Sequence, residues 1–163
     1  MMKMLPAALF ALASLAWAPM ALAAPEHRWQ TYGNGRFEYT ICYPADLMTP
    51  APEADNGDGR TFSAADGAKM LVWGTFNTEE LTPPQVMAHE TARITREGGR
   101  VTYKTYKPGW YALSGTQDGK VFYQRGLSNS VRFVTFRLIY DKASAAKWNP
   151  VAARISSCMK GEE

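Results

Sequence analysis

RVTYKTYKPGWYALSGTQDGKVFYQRGLSNSVRFVTFRLIY, residues 100–140, is the stretch that decides the fold. It contains four segments rich in aromatic and β-branched residues, which the turn sequences PG, TQDG and LSNS separate. Such segments are typical of strands, and connections this short join antiparallel neighbours. The last segment, 131–140, is apolar on both of its faces, which favours a central strand covered on both sides. The stretch therefore predicts a four-strand antiparallel meander.

Two further strand regions precede the meander. RFEYTICYP, residues 36–44, alternates apolar and polar positions after a Gly-Asn-Gly turn at 33–35. Its apolar side is formed by Phe37, Tyr39, Ile41 and Tyr43. Residues 60–74 predict a hairpin whose turn is built on Asp66–Gly67. Between the two regions, residues 44–59 are rich in proline and turn-forming residues and predict a loop.

A helix is predicted directly before the meander. Thr82 is a favourable N-cap ahead of two prolines, and the Gly98–Gly99 pair ends the helix after about Glu97. The predicted inner stripe comprises Met87, Ala88, Thr91, Ala92 and Ile94. The predicted outer side comprises His89, Glu90, Arg93, Arg96 and Glu97.

A second helix is predicted near the C-terminus, and it bears one of the two cysteines. Asn149 is its predicted N-cap, with Pro150 in the first turn. Helical spacing puts Cys158 on the inner face together with Val151, Ile155 and Met159. In an exported domain, a bond to Cys42 would close a loop of 116 residues and act as a structural disulfide. A redox pair is the alternative, but that function favours close spacing such as Cys-x-x-Cys.

The order of strands, helix, four strands and helix predicts an α+β fold, with helices packed on an antiparallel sheet of about six to seven strands. The segment RFEYTICYPADL, the long loop, the middle helix, the meander and the closing helix resemble the PsbP-like family. NGDGRTFSAADGAKMLVWG and ALSGTQDGKVFYQRG are similar to patterns in small exported bacterial proteins of unassigned function within that family. The resemblance implies a central antiparallel sheet between helices and a role in binding or assisting other proteins. It supplies no catalytic residues.

Residues 1–23 have the pattern of a secretory signal peptide. Lys3 precedes an uncharged apolar run, and Ala21-Leu22-Ala23 forms a small-residue cleavage site. Cleavage is predicted after Ala23, or one residue later, and leaves 24–163 as a single domain in the periplasm or outside the cell. A retained membrane helix is the alternative, because the apolar run is long enough to span a bilayer. We expect no stable membrane insertion after cleavage.

The charge balance argues against nucleic acid as a partner. Loss of Lys3 reduces the 18 basic residues to 17, against 15 acidic residues, and the basic residues are scattered along the chain. A chain with so small an excess has no electrostatic footprint for a phosphate backbone. No cofactor is predicted.

EADNGDGRTF, residues 53–62, resembles the start of a calcium loop. Asn56, Asp58 and Gly59 fit positions 3, 5 and 6 of an EF-hand loop, but positions 1 and 12 fall on alanines. The segment therefore predicts a turn and not a metal site. The two histidines, His27 and His89, have no neighbouring ligands that would build a zinc site.

Catalysis is not predicted, although a small hydrolase is an alternative. Such a site would need a histidine to assemble across strands with Ser114 or Ser128. Neither serine lies in a Gly-x-Ser-x-Gly elbow.

Aromatic residues of the meander are the candidate partner-binding residues. Adjacent residues on a strand face opposite sides, so at least one of Trp110 and Tyr111 is expected at the surface. The alternative is that both cover the sheet. The full candidate set is Trp110, Tyr111, Tyr103, Tyr106, Tyr123 and Arg125.

The favoured function is an exported, non-catalytic binding or accessory protein with a protein partner in the cell envelope. The aromatic residues or the 44–59 loop would contact that partner. The alternatives are an inhibitor or immunity protein for an envelope or secreted enzyme, a small hydrolase, and a carrier of a small apolar ligand between sheet and helices.

Overall fold

The computed structural model describes residues 26–161, so the predicted leader at 1–23 lies outside the described residues. The described chain has helices α1 (Pro83–Arg96) and α2 (Ala145–Cys158), with a short 3-10 helix (Lys142–Ser144) before α2. Its strands are β1 (Trp29–Asn34), β2 (Tyr39–Pro44), β3 (Met48–Glu53), β4 (Gly59–Ala64), β5 (Lys69–Phe76), β6 (Arg100–Lys107), β7 (Trp110–Gln117), β8 (Lys120–Ser128), β9 (Arg132–Asp141) and β10 (Lys160–Gly161). Neither α-helix within this range has the length and apolarity that a bilayer crossing requires.

Seven strands form one antiparallel sheet in the order β3-β4-β5-β9-β8-β7-β6. The predicted meander is therefore confirmed as β6 to β9, and the predicted hairpin is confirmed as β4 and β5. The apolar strand β9 occupies the centre of the sheet, where both faces of the strand are covered over most of its length. The α+β class with helices on an antiparallel sheet is also confirmed.

A second, three-stranded sheet packs against the large one. It has the order β1-β2-β10, and its apolar residues join a core with β4, β5, β9 and α2. The apolar side predicted for residues 36–44 is confirmed as buried, since Phe37, Tyr39, Ile41 and Tyr43 are all buried. Cys42, predicted on the opposite side, is buried as well, so the alternation ends at Ile41. The strands β1 and β10 were not predicted. A disulfide links Cys42 of β2 to Cys158 at the end of α2, with Cα atoms 5.9 Å apart, and this fits the predicted pairing.

Helix α1 begins and ends where the sequence predicts, with Thr82 as N-cap and Glu97 as C-cap. The prediction of which residues face the core is only partly right. Ile94 is fully buried and Met87 packs beside it, but Ala88 and Ala92 are exposed. The helix rolls so that polar residues also face the sheet, which is described below.

Helix α2 begins four residues earlier than the predicted cap at Asn149. Its first turn contains Trp148, which is fully buried and donates its indole N–H to Asp66 Oδ2 at 3.0 Å. This packing stabilises a turn that proline chemistry alone disfavours, because Pro150 inside the helix has no N–H to donate. Asn149 instead accepts a hydrogen bond from the Tyr140 hydroxyl at 2.7 Å.

The predicted loop at 44–59 is partly wrong, because it contains β3. This strand holds Pro50 and an adjacent bulge, and it lies at the edge of the sheet, where a residue without an N–H is tolerated. The predicted turn before Arg60 is confirmed. Asn56 hydrogen-bonds to Asp58 at 2.8 Å, and Gly57 adopts a φ of 66°, a left-handed conformation that favours glycine.

The two helices lie on opposite faces of the large sheet and cover different halves of it. Helix α1 packs chiefly on β6, β7 and β8, while α2 packs on β8, β9 and the small sheet. A small core under α1 contains Ile94, Tyr111, Leu113 and Phe122. Each face of the large sheet therefore has a half that no helix covers.

Candidate functional site

The edge strand β6 and its neighbours form an exposed aromatic and basic surface. Within residues 26–161, β6 pairs only with β7, so its outer edge has free backbone groups. Tyr103 is 54% exposed and Tyr106 is 52% exposed. Arg100, Lys104 and Lys107 are also exposed, and β6 contains no acidic residue.

Cross-strand register extends this surface over β7 and β8. Paired residues of antiparallel strands project from the same face, and Tyr103 pairs with Ser114, which pairs with Tyr123. Lys107 pairs with Trp110 in the same way. We call Tyr103, Lys107, Trp110 and Arg125, together with the outer edge of β6, the β6 surface.

Arg125 joins this surface to helix α2. Its guanidinium carbon lies 4.9 Å from the Trp110 ring centroid, and it donates to Ser156 Oγ at 3.0 Å and to the Ser156 carbonyl. The Tyr123 hydroxyl also bonds Ser156 Oγ, at 3.1 Å. These contacts hold the Arg125 guanidinium over the indole ring, which stabilises the position of Trp110 at the surface. Tyr123 is half-buried and mainly docks the helix.

Two of the six candidate residues are not on this face. Tyr111 is only 1% exposed, so it is corrected from a candidate partner-binding residue to a core residue under α1. Tyr106 pairs with Tyr111 and therefore projects from the α1 face of the sheet, at its edge. The structure thus brings together Tyr103, Trp110, Tyr123 and Arg125.

A buried polar network surrounds Tyr111, and sequence reasoning did not predict it. The Tyr111 hydroxyl accepts from Gln124 Nε2 at 3.1 Å and lies 3.4 Å from Thr135 Oγ1, and burial raises its pKa. Gln124 Nε2 also donates to Glu90 Oε2 at 3.0 Å. Glu90 was predicted on the outer side of α1, and the structure places it against the sheet. The only sequence signal for this network is that the alternation of β8 puts a glutamine, Gln124, at a buried position.

Glu90 stays ionised although it is largely buried. Burial by itself would raise the pKa of Glu90, but hydrogen bonds from Arg93, at 2.8 Å, and from Gln124 hold the pKa below its ordinary value. Arg93 also pairs with Glu97 at 2.8 Å. Arg93 therefore forms an i,i+3 pair with Glu90 and an i,i+4 pair with Glu97, and the first of these pairs faces the sheet.

The structure does not bring the candidate catalytic residues together. His27 Nδ1 lies 2.7 Å from Asp46 Oδ2 at the start of β1, away from both serines. His89 lines a cavity on the α1 face of the sheet, whereas Ser114 lines one on the α2 face. Ser128 lines a third cavity near Gly109. Within residues 26–161, no group of three or more His, Cys, Asp and Glu side chains is arranged to hold a metal ion.

No family model and no curated protein matches this chain. Its structure is similar to the solution structure of cyanobacterial PsbP (CyanoP) from Synechocystis sp. PCC 6803, with a TM-score of 0.63 and 12% sequence identity. The match covers 89% of this chain and 98% of that chain. The PsbP-like fold indicated by the sequence is therefore confirmed. At this identity the likeness concerns the fold alone.

Proposed function

We propose that the mature domain is an exported, non-catalytic accessory protein that binds a protein partner in the periplasm or outside the cell. The observation that supports this function most strongly is the β6 surface. At the outer edge of β6 this surface combines an unpaired strand edge and three cations without an acid in the strand. Tyr103 and Tyr106 are each more than half exposed there, on the two opposite faces of that edge.

The exposed tyrosines distinguish this strand edge from an edge that is only protected against pairing with other chains. Lysines on an edge strand prevent pairing with other chains, and that role accounts for Lys104 and Lys107. It does not account for Tyr103 and Tyr106, whose rings are exposed at the same edge. Tyrosine and tryptophan are the usual anchors of protein interfaces.

The positive charge of β6 favours an acidic partner segment over a second copy of this chain. An extended, acidic segment of a partner would add a strand to the edge and place its carboxylates opposite Lys104 and Lys107. A second copy of this chain would place lysines opposite lysines, which is unfavourable. An enzyme blocked by this protein would be one such partner, so the inhibitor alternative uses the same surface.

A comparative pull-down tests the proposal. The oxidised mature domain is used as bait in an envelope extract of its own cells, alongside the variants Tyr103→Ser/Tyr106→Ser and Lys104→Glu/Lys107→Glu. We expect one stoichiometric partner, rich in acidic residues, that both variants lose. The matched control is Val131→Ser, which replaces a residue that is also 54% exposed but lies in the β8–β9 connection.

Melting temperatures establish that the variants are folded before they are compared. Retention of the same partner by both β6 variants would remove the β6 surface from the proposal. A wild-type bait that captures nothing would argue against the accessory-protein class itself.

A further inference from the structure

A groove runs along α1 on the face of the large sheet opposite the β6 surface. Because α1 packs chiefly on β6, β7 and β8, the side chains of β5 and β9 on this face have no helix over them. Two cavities open there, with volumes of about 290 Å³ and about 580 Å³, and Trp73 and Glu90 line both. We call this feature the Trp73 groove.

Arg137 lies in the floor of the groove and has a buried hydrogen-bond donor without an acceptor. The residue is 7% exposed, its guanidinium carbon lies 4.3 Å from the Phe122 ring centroid, and Nη2 donates to Gln117 Oε1 at 2.5 Å. Its Nε has no acceptor. None of the carboxylates in residues 26–161 forms a salt bridge with it.

Such a guanidinium is unusual inside a protein. Arginine is rarely buried without an anionic partner, and buried donors are normally hydrogen-bonded. Gln124, the register partner of Arg137 on β8, has a buried Oε1 that also lacks a donor, yet the two side chains do not bond each other. Burial lowers the pKa of Arg137 and the nearby Arg93 lowers it further, while the carboxylates of Glu90, Glu97 and Asp118 act in the opposite direction. The pKa is lowered on balance, and an anion in contact with the guanidinium would oppose that effect.

The charges around the larger cavity indicate how much negative charge it accepts. Its charged lining residues are three cations and two acids, namely Arg93, Lys120, Arg137, Glu90 and Asp118. Arg93 pairs with Glu90, and Lys120 pairs with Asp141 at 3.4 Å. Arg137 is therefore the lining cation that no salt bridge engages. Because Asp118 adds a negative charge to the same cavity, the complementary ligand carries no more than one negative charge.

The rest of the lining is apolar and aromatic. Leu71, Trp73 and Ile139 are half-buried along the groove, and Phe122 lies behind Arg137. A planar carboxylate matches the guanidinium fork, and an apolar body matches these walls.

We propose that the Trp73 groove binds a small organic molecule with one carboxylate on an apolar, aromatic body. The carboxylate contacts Arg137 and the body packs on Trp73. The Trp73 groove contains no residue of β6, whose edge is the site of the proposed protein partner, so either proposal can fail without the other.

A titration with three related compounds tests the ligand class. The oxidised mature domain is titrated with 3-phenylpropionate, 3-phenylpropionamide and 3-phenylpropylamine while NMR follows the Trp73 indole N–H and the Arg137 Nε–H. The carboxylate is expected to shift both signals to saturation. The neutral amide is expected to bind about tenfold or more weakly, because it loses the charge-assisted hydrogen bonds, and the amine more weakly still.

Two matched arginine variants locate the site. Arg137→Met should remove the preference for the carboxylate over the amide. Arg125→Met should keep it, although Arg125 also lies over an aromatic ring and also has an unpartnered Nε, because it belongs to the other face of the sheet. If Arg137→Met does not fold, the three compounds on the wild-type domain decide the question.

Three results would overturn the proposal. They are equal binding of the carboxylate and the amide, a carboxylate titration that leaves the Trp73 and Arg137 signals unchanged, and tighter binding of inorganic phosphate than of 3-phenylpropionate. Loss of the carboxylate preference in Arg125→Met but not in Arg137→Met would also contradict it.

Discussion

The Glu90 carboxylate projects from α1 toward the large sheet, where it accepts hydrogen bonds from Arg93 and Gln124. Here the sheet under α1 presents Gln124, which is fully buried and hydrogen-bonds the carboxylate. The polar partner lies 34 positions away in the chain, so no local pattern could reveal the contact.

The lowered pKa of Glu90 predicts acid-sensitive stability. Because the pKa is below the ordinary 4.5 in the folded state, the native protein binds fewer protons than the unfolded chain. The stabilisation is fully present above the unfolded pKa and is lost as the pH falls through the lower native pKa. Glu90→Gln should therefore reduce the loss of unfolding free energy between about pH 6 and about pH 3, as urea midpoints would show.

An exposed carboxyl provides the control for this comparison. Asp55→Asn, in the turn before β4, should leave the acid loss as it is in the wild type. Asp66 also has a lowered pKa, chiefly through Lys147, so some acid loss remains in Glu90→Gln. An unchanged acid loss in Glu90→Gln would show that the carboxylate does not interact as described.

At the scale of elements, the sequence predicted what local signals determine. Thr82 and the Gly98–Gly99 pair delimit α1, and the short turns delimit β6 to β9, because caps and turns act over a few residues. It missed three strands, namely β1, β3, whose prolines are typical of loops, and β10, which has two residues. All three depend on a partner strand for their conformation. The aromatic residues of β6 were predicted as a surface, but the register that separates Tyr106 from Tyr103 was not.

The early start of α2 depends on Asp66 in the β4–β5 turn. Asp66 Oδ2 accepts hydrogen bonds from Trp148 Nε1 at 3.0 Å and from Lys147 Nζ at 2.8 Å. Asp66→Ala would leave the N–H of a fully buried indole without an acceptor, at a cost of about 1–3 kcal/mol. Urea unfolding should show this loss. Lys147→Ala removes a partly exposed ion pair and the contact of Lys147 Nζ with the Trp148 ring at 4.9 Å, and it should cost no more than about 1 kcal/mol.

A loss in Asp66→Ala no larger than that in Lys147→Ala would mean that the indole bond does not stabilise α2. In that case the hydrophobic burial of Trp148 alone would account for the additional turn before Pro150. Far-UV circular dichroism of the two folded variants would show whether that turn is lost.

At the scale of the molecule, the feature that no segment predicts is the second sheet. Periodicity assigned β2 a buried side but not the surface that buries it. The structure places the small sheet and α2 side by side over one half of the large sheet, and α1 over part of the other face. This offset arrangement leaves the β6 surface and the Trp73 groove open on opposite faces. Both candidate binding regions therefore result from the packing of layers and not from a local motif.

The Cys42–Cys158 bond joins the small sheet to the last helix and closes a loop of 116 residues. On the chain-entropy account, so long a loop gives a stabilisation of about 4–5 kcal/mol, mainly because the cross-link restricts the unfolded chain. Reduction should lower the free energy of unfolding of the wild type by several kcal/mol, which a lower urea midpoint would show. The circular dichroism spectrum of the native protein should not change. The double variant Cys42→Ala/Cys158→Ala should match the reduced protein, and a reducing agent should not affect it further. If reduction costs only tenths of a kcal/mol, the two sheets and α2 hold their arrangement by apolar packing alone, and the buried residues around Ile155 and Met159 would be the ones to truncate next.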